Sequence, residues 1–229
     1  DMKAIGLSPG LANKRVIIQG FGNVGYHAAL VLIELGAIVI GIAEFNGGLF
    51  HPDGLDVVEI KKYQKDHGTI KNYPKAHFIE RSIELIEYEC DILIPAALEN
   101  QITVLNAPYI KAKLIGEGAN GPITPEASKI LAKKGIMIVP DVYLNAGGVT
   151  VSYFEWLKNL SHVSFGRMNS RFESAQFGRL INIIESHTGK SVGLKEKQIL
   201  TNGVSELDLV RSGLEDTMVT SYEKVREIY

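Results

Sequence analysis

The stretch that most restricts what this chain can become runs from Arg15 to Gly25, RVIIQGFGNVG. A β-branched apolar run, the composition of a buried strand, feeds directly into a Gly-x-Gly-x-x-Gly turn. An amphipathic helical pattern follows. Val24, Ala28, Val31 and Leu35 recur at spacings of four, three and four, one face of a helix. Gly36 then stands where a helix end takes a left-handed residue. The glycines have separate physical jobs. Gly20 permits the tight turn, Gly22 lets backbone approach a pyrophosphate, and Gly25 lets the helix lie close on the strand. Phosphates would rest on unpaired N–H groups at the positive end of the helix.

With 23 glycines in 229 residues such a motif also arises by chance, so its context decides. A second apolar run, Ala37 to Ala43, ends in Glu44, which lies 24 residues beyond Gly20. That is where a dinucleotide fingerprint places a carboxylate for the adenosine ribose hydroxyls. Strand, glycine turn, helix, strand and terminal acid agree, and a dinucleotide site is expected. Phe21, Asn23 and Val24 complete the turn that would carry it.

Later segments repeat the alternation. Strands are expected at 76–79, 91–95, 113–116 and 136–139. Between them come a helix over 54–67 closed by Gly68, a helical turn at 82–86, a weaker helix over 99–112 and a helix opened by Thr124 and Pro125. Residues 47–52 read as a turn. Thr124 is a good N-cap, Pro125 suits the first helical position, and Gly135 suits the end. Strands alternating with helices imply an α/β fold, a Rossmann-type doubly wound and mostly parallel sheet. Ligands of such sheets gather at the carboxyl ends of the strands, where Glu44, Ala96-Ala97, Asn120 and Asn145 all fall. Small residues at 96–97 would let a flat ring or ribose approach the sheet edge.

The net charge of −2 and the lack of a basic stripe speak against nucleic-acid or membrane-surface partners. Lys61, Lys62, Lys65, Lys71 and Lys75 read as a solvated helix face and loop. The lone Cys90 allows no internal disulfide, suggests a reducing compartment, and reads as a buried strand thiol. No apolar run reaches the length of a membrane span, and no metal ligand is singled out. The opening, Asp1-Met2-Lys3 and then a Gly-rich loop, has no signal-peptide pattern and does not look like a native amino terminus.

After Gly148 the composition changes. Val149 to Leu160 carries Tyr153, Phe154, Trp156 and Leu157 around most of its circumference, as a helix packed between domains would. A long polar helix over 166–187 has a thin stripe of Met168, Phe172 and Ala175. A loop-rich return over 188–203 follows, and Ser205 and Asp208 open a last helix. The domains are expected at 1–160, dinucleotide-binding, and 161–229, a helical extension that needs a partner surface.

Four motifs, Gln19 to Gly25, Ile94 to Ala97, Glu117 to Pro122 and Asn145 to Trp156, together resemble glutamate dehydrogenase of the Glu/Leu/Phe/Val dehydrogenase family. The similarity runs over essentially the whole chain in the family's order. The resemblance implies reversible oxidative deamination of L-glutamate to 2-oxoglutarate and ammonium with NAD as cofactor. By motif, Phe21 to Val24, within the cofactor-binding turn Gly20 to Gly25, would contact the pyrophosphate region and Glu44 the ribose. Ala96, Ala97 and Asn120 would line the adenosine-to-nicotinamide path, Asn145 would meet the nicotinamide ribose, and Val149 and Ser152 the substrate. The family's catalytic lysine, proton-shuttling aspartate and carboxylate-binding lysines come from an N-terminal substrate domain. No motif here matches them, so no catalytic residue is expected in this chain, which reads as cut at the domain boundary. Residues 162–210 resemble a shortened antenna of the larger hexameric type, which implies other subunits of a homo-hexamer as partners. Arg211 replaces a histidine used in the purine-nucleotide control of animal members. The family would place the protein in a mitochondrial matrix or a bacterial cytoplasm. Two other readings remain open from the residues: a non-catalytic nucleotide-sensing module, and a related leucine, phenylalanine or valine dehydrogenase.

Overall fold

The computed structural model describes residues 2–161, 165–193, 196–197 and 206–228, with side chains except at 157–161, 165–175, 206–209 and 228. It divides into two compact units, Asp1–Ala146 and Gly147–Tyr229. The division falls at 146/147 rather than at 160, because the aromatic helix packs within the second unit.

The first unit is built on a seven-stranded sheet. Its strands are β1 (Arg15–Gln19), β2 (Ile38–Glu44), β3 (Gly47–Phe50), β4 (His77–Ile79), β5 (Ile92–Pro95), β6 (Leu114–Gly116) and β7 (Met137–Val139). Their order across the sheet is β4-β3-β2-β1-β5-β6-β7. The pairs β2–β1, β1–β5, β5–β6 and β6–β7 are parallel, which is the doubly wound arrangement expected. Alternate side chains of β1 enter opposite cores: Val16 and Ile18 on one face of the sheet, Ile17 on the other. All three are fully buried. Helices α1 (Asn23–Glu34), α2 (Val57–His67), α3 (Ser82–Leu85) and α4 (Pro125–Lys133) connect the strands, and α5 (Asp141–Leu144) follows β7. Local chemistry sets their ends as the sequence suggests. Thr124 caps α4 through the Ala127 N–H at 3.3 Å, and Gly36, Gly68 and Gly135 all have positive φ.

Three local expectations are corrected. Residues 47–52 are not simply a turn: Gly47–Phe50 forms β3, antiparallel to β2, and β4 adds antiparallel to β3. Paired glycines weaken a strand signal, but a Cβ on Gly47 would strike the Phe78 ring and one on Gly48 would lie 2.8 Å from Leu85. The glycines are where neighbours press in. Residues 99–112 form no helix beyond a 3₁₀ turn at Ala107–Tyr109. Their backbone pairs at long range instead, with Ile102 N–H on the Pro122 carbonyl and Thr124 N–H on that of Ile102, both at 2.9 Å. Finally, the apolar face of α1 points outward. Val24, Val31 and Leu35 are 56%, 53% and 55% exposed, while Gly25 and Ala29 are buried. Smallness is demanded where α1 comes closest, at Gly25 and Ala29, while Tyr26, Leu30 and Leu32 pack partly buried on the same core.

Cys90 is buried, and burial above all pushes its thiol up to about 12. Native chain at pH 8 is expected to resist iodoacetamide, and urea-unfolded chain to react fully. Rapid labelling of native protein would show an open strand end there.

The second unit holds α6 (Ala146–Ser161), α7 (Phe165–Thr188) and α8 (Glu206–Ile228). Helix α6 packs on α8: a methyl built on Gly213 would touch the Phe154 ring at 3.6 Å, and one on Gly147 would touch Leu214 at 3.4 Å. The Tyr153 and Trp156 rings stack at 5.9 Å. Ile181 of α7 is buried, whereas Leu180 and Ile183 are about half exposed. The Met168, Phe172 and Ala175 side chains, Ser205, and half of the expected loop before it lie outside the described residues. Among the described residues no helix is long and apolar enough to cross a membrane.

Candidate functional site

Strand β1 lies between β2 and β5, and the chain leaves it first toward one side of the sheet and later returns on the other. A crevice opens at such a reversal, at the carboxyl ends of the strands. The Gly20 N–H donates to the Ala43 carbonyl at 2.6 Å, and the Ala96 N–H to the Gln19 carbonyl at 2.7 Å. The glycine turn is thereby tied to both neighbouring strand ends.

Glycine is required at two positions of this turn. Gly20 has φ +90°, and a Cβ there would sit 2.6 Å from the Ala96 carbonyl oxygen. A Cβ on Gly25 would collide with the Gly20 carbonyl oxygen, which marks the closest approach of α1 to the turn. Gly22 differs from both. It is the N-cap of α1 with φ −72°, no side chain caps the helix there, and nothing lies within 4 Å of its would-be Cβ. No side chain caps the first N–H groups of α1 and the space beside Gly22 is open, the arrangement that receives an anion.

A cleft of about 340 Å³ lies over this turn and includes Gly20, Gly22, Glu44, Ala96 and Ala97 among its walls. Glu44 stands at the end of β2, and its carboxylate accepts a hydrogen bond from the Phe21 N–H. The Phe21 ring is fully buried and meets Tyr26 edge-on at 5.6 Å, so only its backbone faces the turn. Asn23 and Val24 are exposed in the first turn of α1, outside the cleft lining. Asn120 and Asn145 follow β6 and β7 at the same end of the sheet, joined by Asn145 Nδ2 donating to Asn120 Oδ1 at 2.5 Å. The loop bearing Asn120 is fastened beside the cleft, since Gly118 and Ala119 both donate to the Pro95 carbonyl, at 3.0 and 2.9 Å. Val149 and Ser152 belong to the second unit. Val149 is exposed, and the Ser152 hydroxyl donates to the Gly148 carbonyl at 3.1 Å.

The sequence reading did not place Ser82, Lys61 or Glu117 at the site. Ser82, at the start of α3, joins Glu44 and the 91% exposed Phe45 on the cleft wall. Only the β3–β4 excursion brings residue 82 there. Lys61 is more than a solvated face: its Nζ donates to the Phe21 carbonyl at 2.7 Å and sits 5.1 Å from the Phe21 ring centre. Glu117 is buried at the end of β6, and desolvation is the main reason its carboxyl is raised. The Asp141 charge pushes the same way, while N–H groups facing it oppose the rise.

Residues 2–204 match the family described as Glutamate/Leucine/Phenylalanine/Valine dehydrogenase. Over 226 residues the chain is 50% identical to a mitochondrial glutamate dehydrogenase of Dictyostelium discoideum, covering 99% of this chain and 45% of that protein. It is 49% identical over 152 residues to an NADP-specific glutamate dehydrogenase of Saccharolobus shibatae, covering 66% of this chain and 36% of the relative. Among solved structures, the hetero-hexameric glutamate dehydrogenase of Thermus thermophilus, in its leucine-bound form, superposes with a TM-score of 0.64 at 28% identity. That superposition covers 94% of this chain and 49% of the other. The chain thus spans about half or less of the length of each of these relatives.

Proposed function

The chain belongs to the glutamate/leucine/phenylalanine/valine dehydrogenase family, and from that premise we propose that its first unit is the NAD-binding part of a glutamate dehydrogenase. The activity is the reversible oxidative deamination of L-glutamate to 2-oxoglutarate and ammonium, in a hexameric assembly. The observation that carries the reading is the pairing of an uncapped helix N-terminus at Gly22 with the Glu44 carboxylate across one cleft.

The residues present fit the dinucleotide. Gly20 and Gly22 leave backbone bare where a pyrophosphate would lie, and the α1 dipole favours its charge. Glu44 can accept from both adenosine ribose hydroxyls, Ala96 and Ala97 leave room at the sheet edge, and Asn120 and Asn145 would hold the nicotinamide end. When bound, the nicotinamide supplies the hydride acceptor or donor. Val149 and Ser152 would meet the amino-acid substrate. Ser152-Tyr153-Phe154-Glu155-Trp156, a glutamate-type motif, and the names of the relatives favour glutamate within the family.

Cofactor choice follows from charge. A 2′-phosphate would meet the Glu44 carboxylate, and Phe45 offers it no hydroxyl or cation. NADH should therefore bind at least about tenfold more tightly than NADPH, roughly 1.4 kcal/mol. Fluorescence titration of both reduced cofactors is the test. Equal affinities would remove Glu44 as the discriminating group, and the absence of binding to either would overturn the reading itself.

A further inference from the structure

The loop that carries Asn120 is loose by composition. Gly118, Gly121 and Pro122 surround it, and it leaves β6 without entering a helix until Pro125. Yet the Asn120 side chain meets Asn145 at 2.5 Å. Two carboxylates close the geometry. Glu117 Oε2 accepts the Asp141 N–H at 2.9 Å, and Glu117 also bonds the backbone of Ile123. Asp141 Oδ2 accepts the Gly121 N–H at 2.8 Å, while its Oδ1 accepts the Val142 N–H at 2.7 Å. Asn120 is thus bracketed, with Ala119 pinned to Pro95 before it and Gly121 pinned to Asp141 after it. Asn145 lies one helical turn from Asp141, and its N–H bonds the Asp141 carbonyl at 3.0 Å.

The asparagine pair presents a defined face. One amide donor and one amide acceptor are used up between the two side chains, which leaves the other end of each amide, one donor group and one acceptor. Exchanging oxygen and nitrogen in both amides leaves the same inventory. A ribose hydroxyl or a carboxamide, each donor and acceptor together, is the matching ligand group.

We infer that Glu117 and Asp141 are positioning residues that hold the Asn120–Asn145 pair in register for the nicotinamide half of the dinucleotide, an inference that rests on the cofactor site proposed above. A carboxylate suits both positions because it only accepts, and the hydrogen bonds from Asp141, Gly121 and Val142 each come to it from a backbone N–H. In Glu117→Gln an NH₂ replaces one of the two oxygens that face backbone donors. Asp141→Asn does the same to the Gly121–Asp141–Val142 link.

The test separates the two halves of the ligand. NADH and ADP are titrated calorimetrically into the 229-residue chain and into Glu117→Gln, Asp141→Asn, Asn145→Ala and the Glu117→Gln/Asn145→Ala double variant. Each single variant should raise the NADH dissociation constant about tenfold and leave that of ADP within about twofold. The double variant should lose little beyond Asn145→Ala alone, because Glu117 acts through the pair. Unchanged NADH affinity in both carboxylate variants, or an equal loss of ADP, would overturn the inference. So would additive losses in the double variant. If Glu117→Gln fails to fold, Asp141→Asn and its own double variant with Asn145→Ala decide the matter. Failure of the unmodified chain to bind ADP and NADH would instead overturn the cofactor site, and the inference with it.

Discussion

The 229-residue chain by itself, given saturating NAD and L-glutamate, is expected to bind the dinucleotide yet form NADH no faster than buffer. Hydride transfer needs the substrate α-carbon held against the nicotinamide. The family resemblance assigns the groups that hold it, and the catalytic lysine and aspartate, to a substrate domain whose motifs this sequence lacks. Loss of positioning forfeits as much as ~7–11 kcal/mol of barrier lowering. Loss of general acid–base chemistry removes roughly another 10²–10⁴-fold. Following absorbance at the NADH band with protein free of host dehydrogenases is the measurement. Turnover that scales with chain concentration would mean that these residues contain their own catalytic base.

The next largest effect is expected from one added methyl. Gly25→Ala should cost about 3 kcal/mol or more, since its Cβ would run into the Gly20 carbonyl and a backbone collision cannot relax by a rotamer change. For a chain of this size that lowers the melting temperature by about 6–12 °C. The same methyl three residues earlier behaves differently. Gly22 has an ordinary φ of −72° and open space around its Cβ, so Gly22→Ala should melt within about 2 °C of the parent. The methyl would occupy the space where a pyrophosphate must approach, and NADH affinity should fall at least about tenfold. Calorimetric melting and NADH titration of the two variants check the contrast. A stable Gly25→Ala would refute the close approach of α1 to the turn, and unweakened binding by Gly22→Ala would show that the dinucleotide does not lie on this loop.

The parts legible in the sequence are those set by local chemistry. The glycine turn, the acid at the end of β2 and the Thr124–Pro125 helix start each depend on a few neighbouring residues, and their geometry follows from conformational preference alone. What stayed hidden depends on distant contacts. Gly47 and Gly48 read as a turn because their strand is defined by Phe78 and Leu85 pressing on them. The 99–112 segment carries a helical pattern, yet its N–H groups find better partners in the 121–124 loop. Hydrophobicity also misled at α1, where Val24 and Val31 lie outside and close packing chose Gly25 and Ala29 for the interior. Lys61 looked like one of several surface lysines, and only the fold brings its ammonium to the Phe21 carbonyl. Glu117 was visible as part of a motif, but its role as an acceptor for backbone N–H groups required knowing where Asp141 would be.

The bottom of the cleft is main chain. Gly20 abuts the Ala96 carbonyl, which leaves no room for a side chain at that point of the turn. That position cannot be retuned by small steps: substitution at Gly20 has to displace backbone. The margin is different, since Phe45 projects into solvent and Ser82 sits at the lip of a short helix. Adaptation to a new nucleotide, by evolution or in the laboratory, is thereby channelled to the margin. The diphosphate grip proposed for Gly20 would be inherited whole or lost.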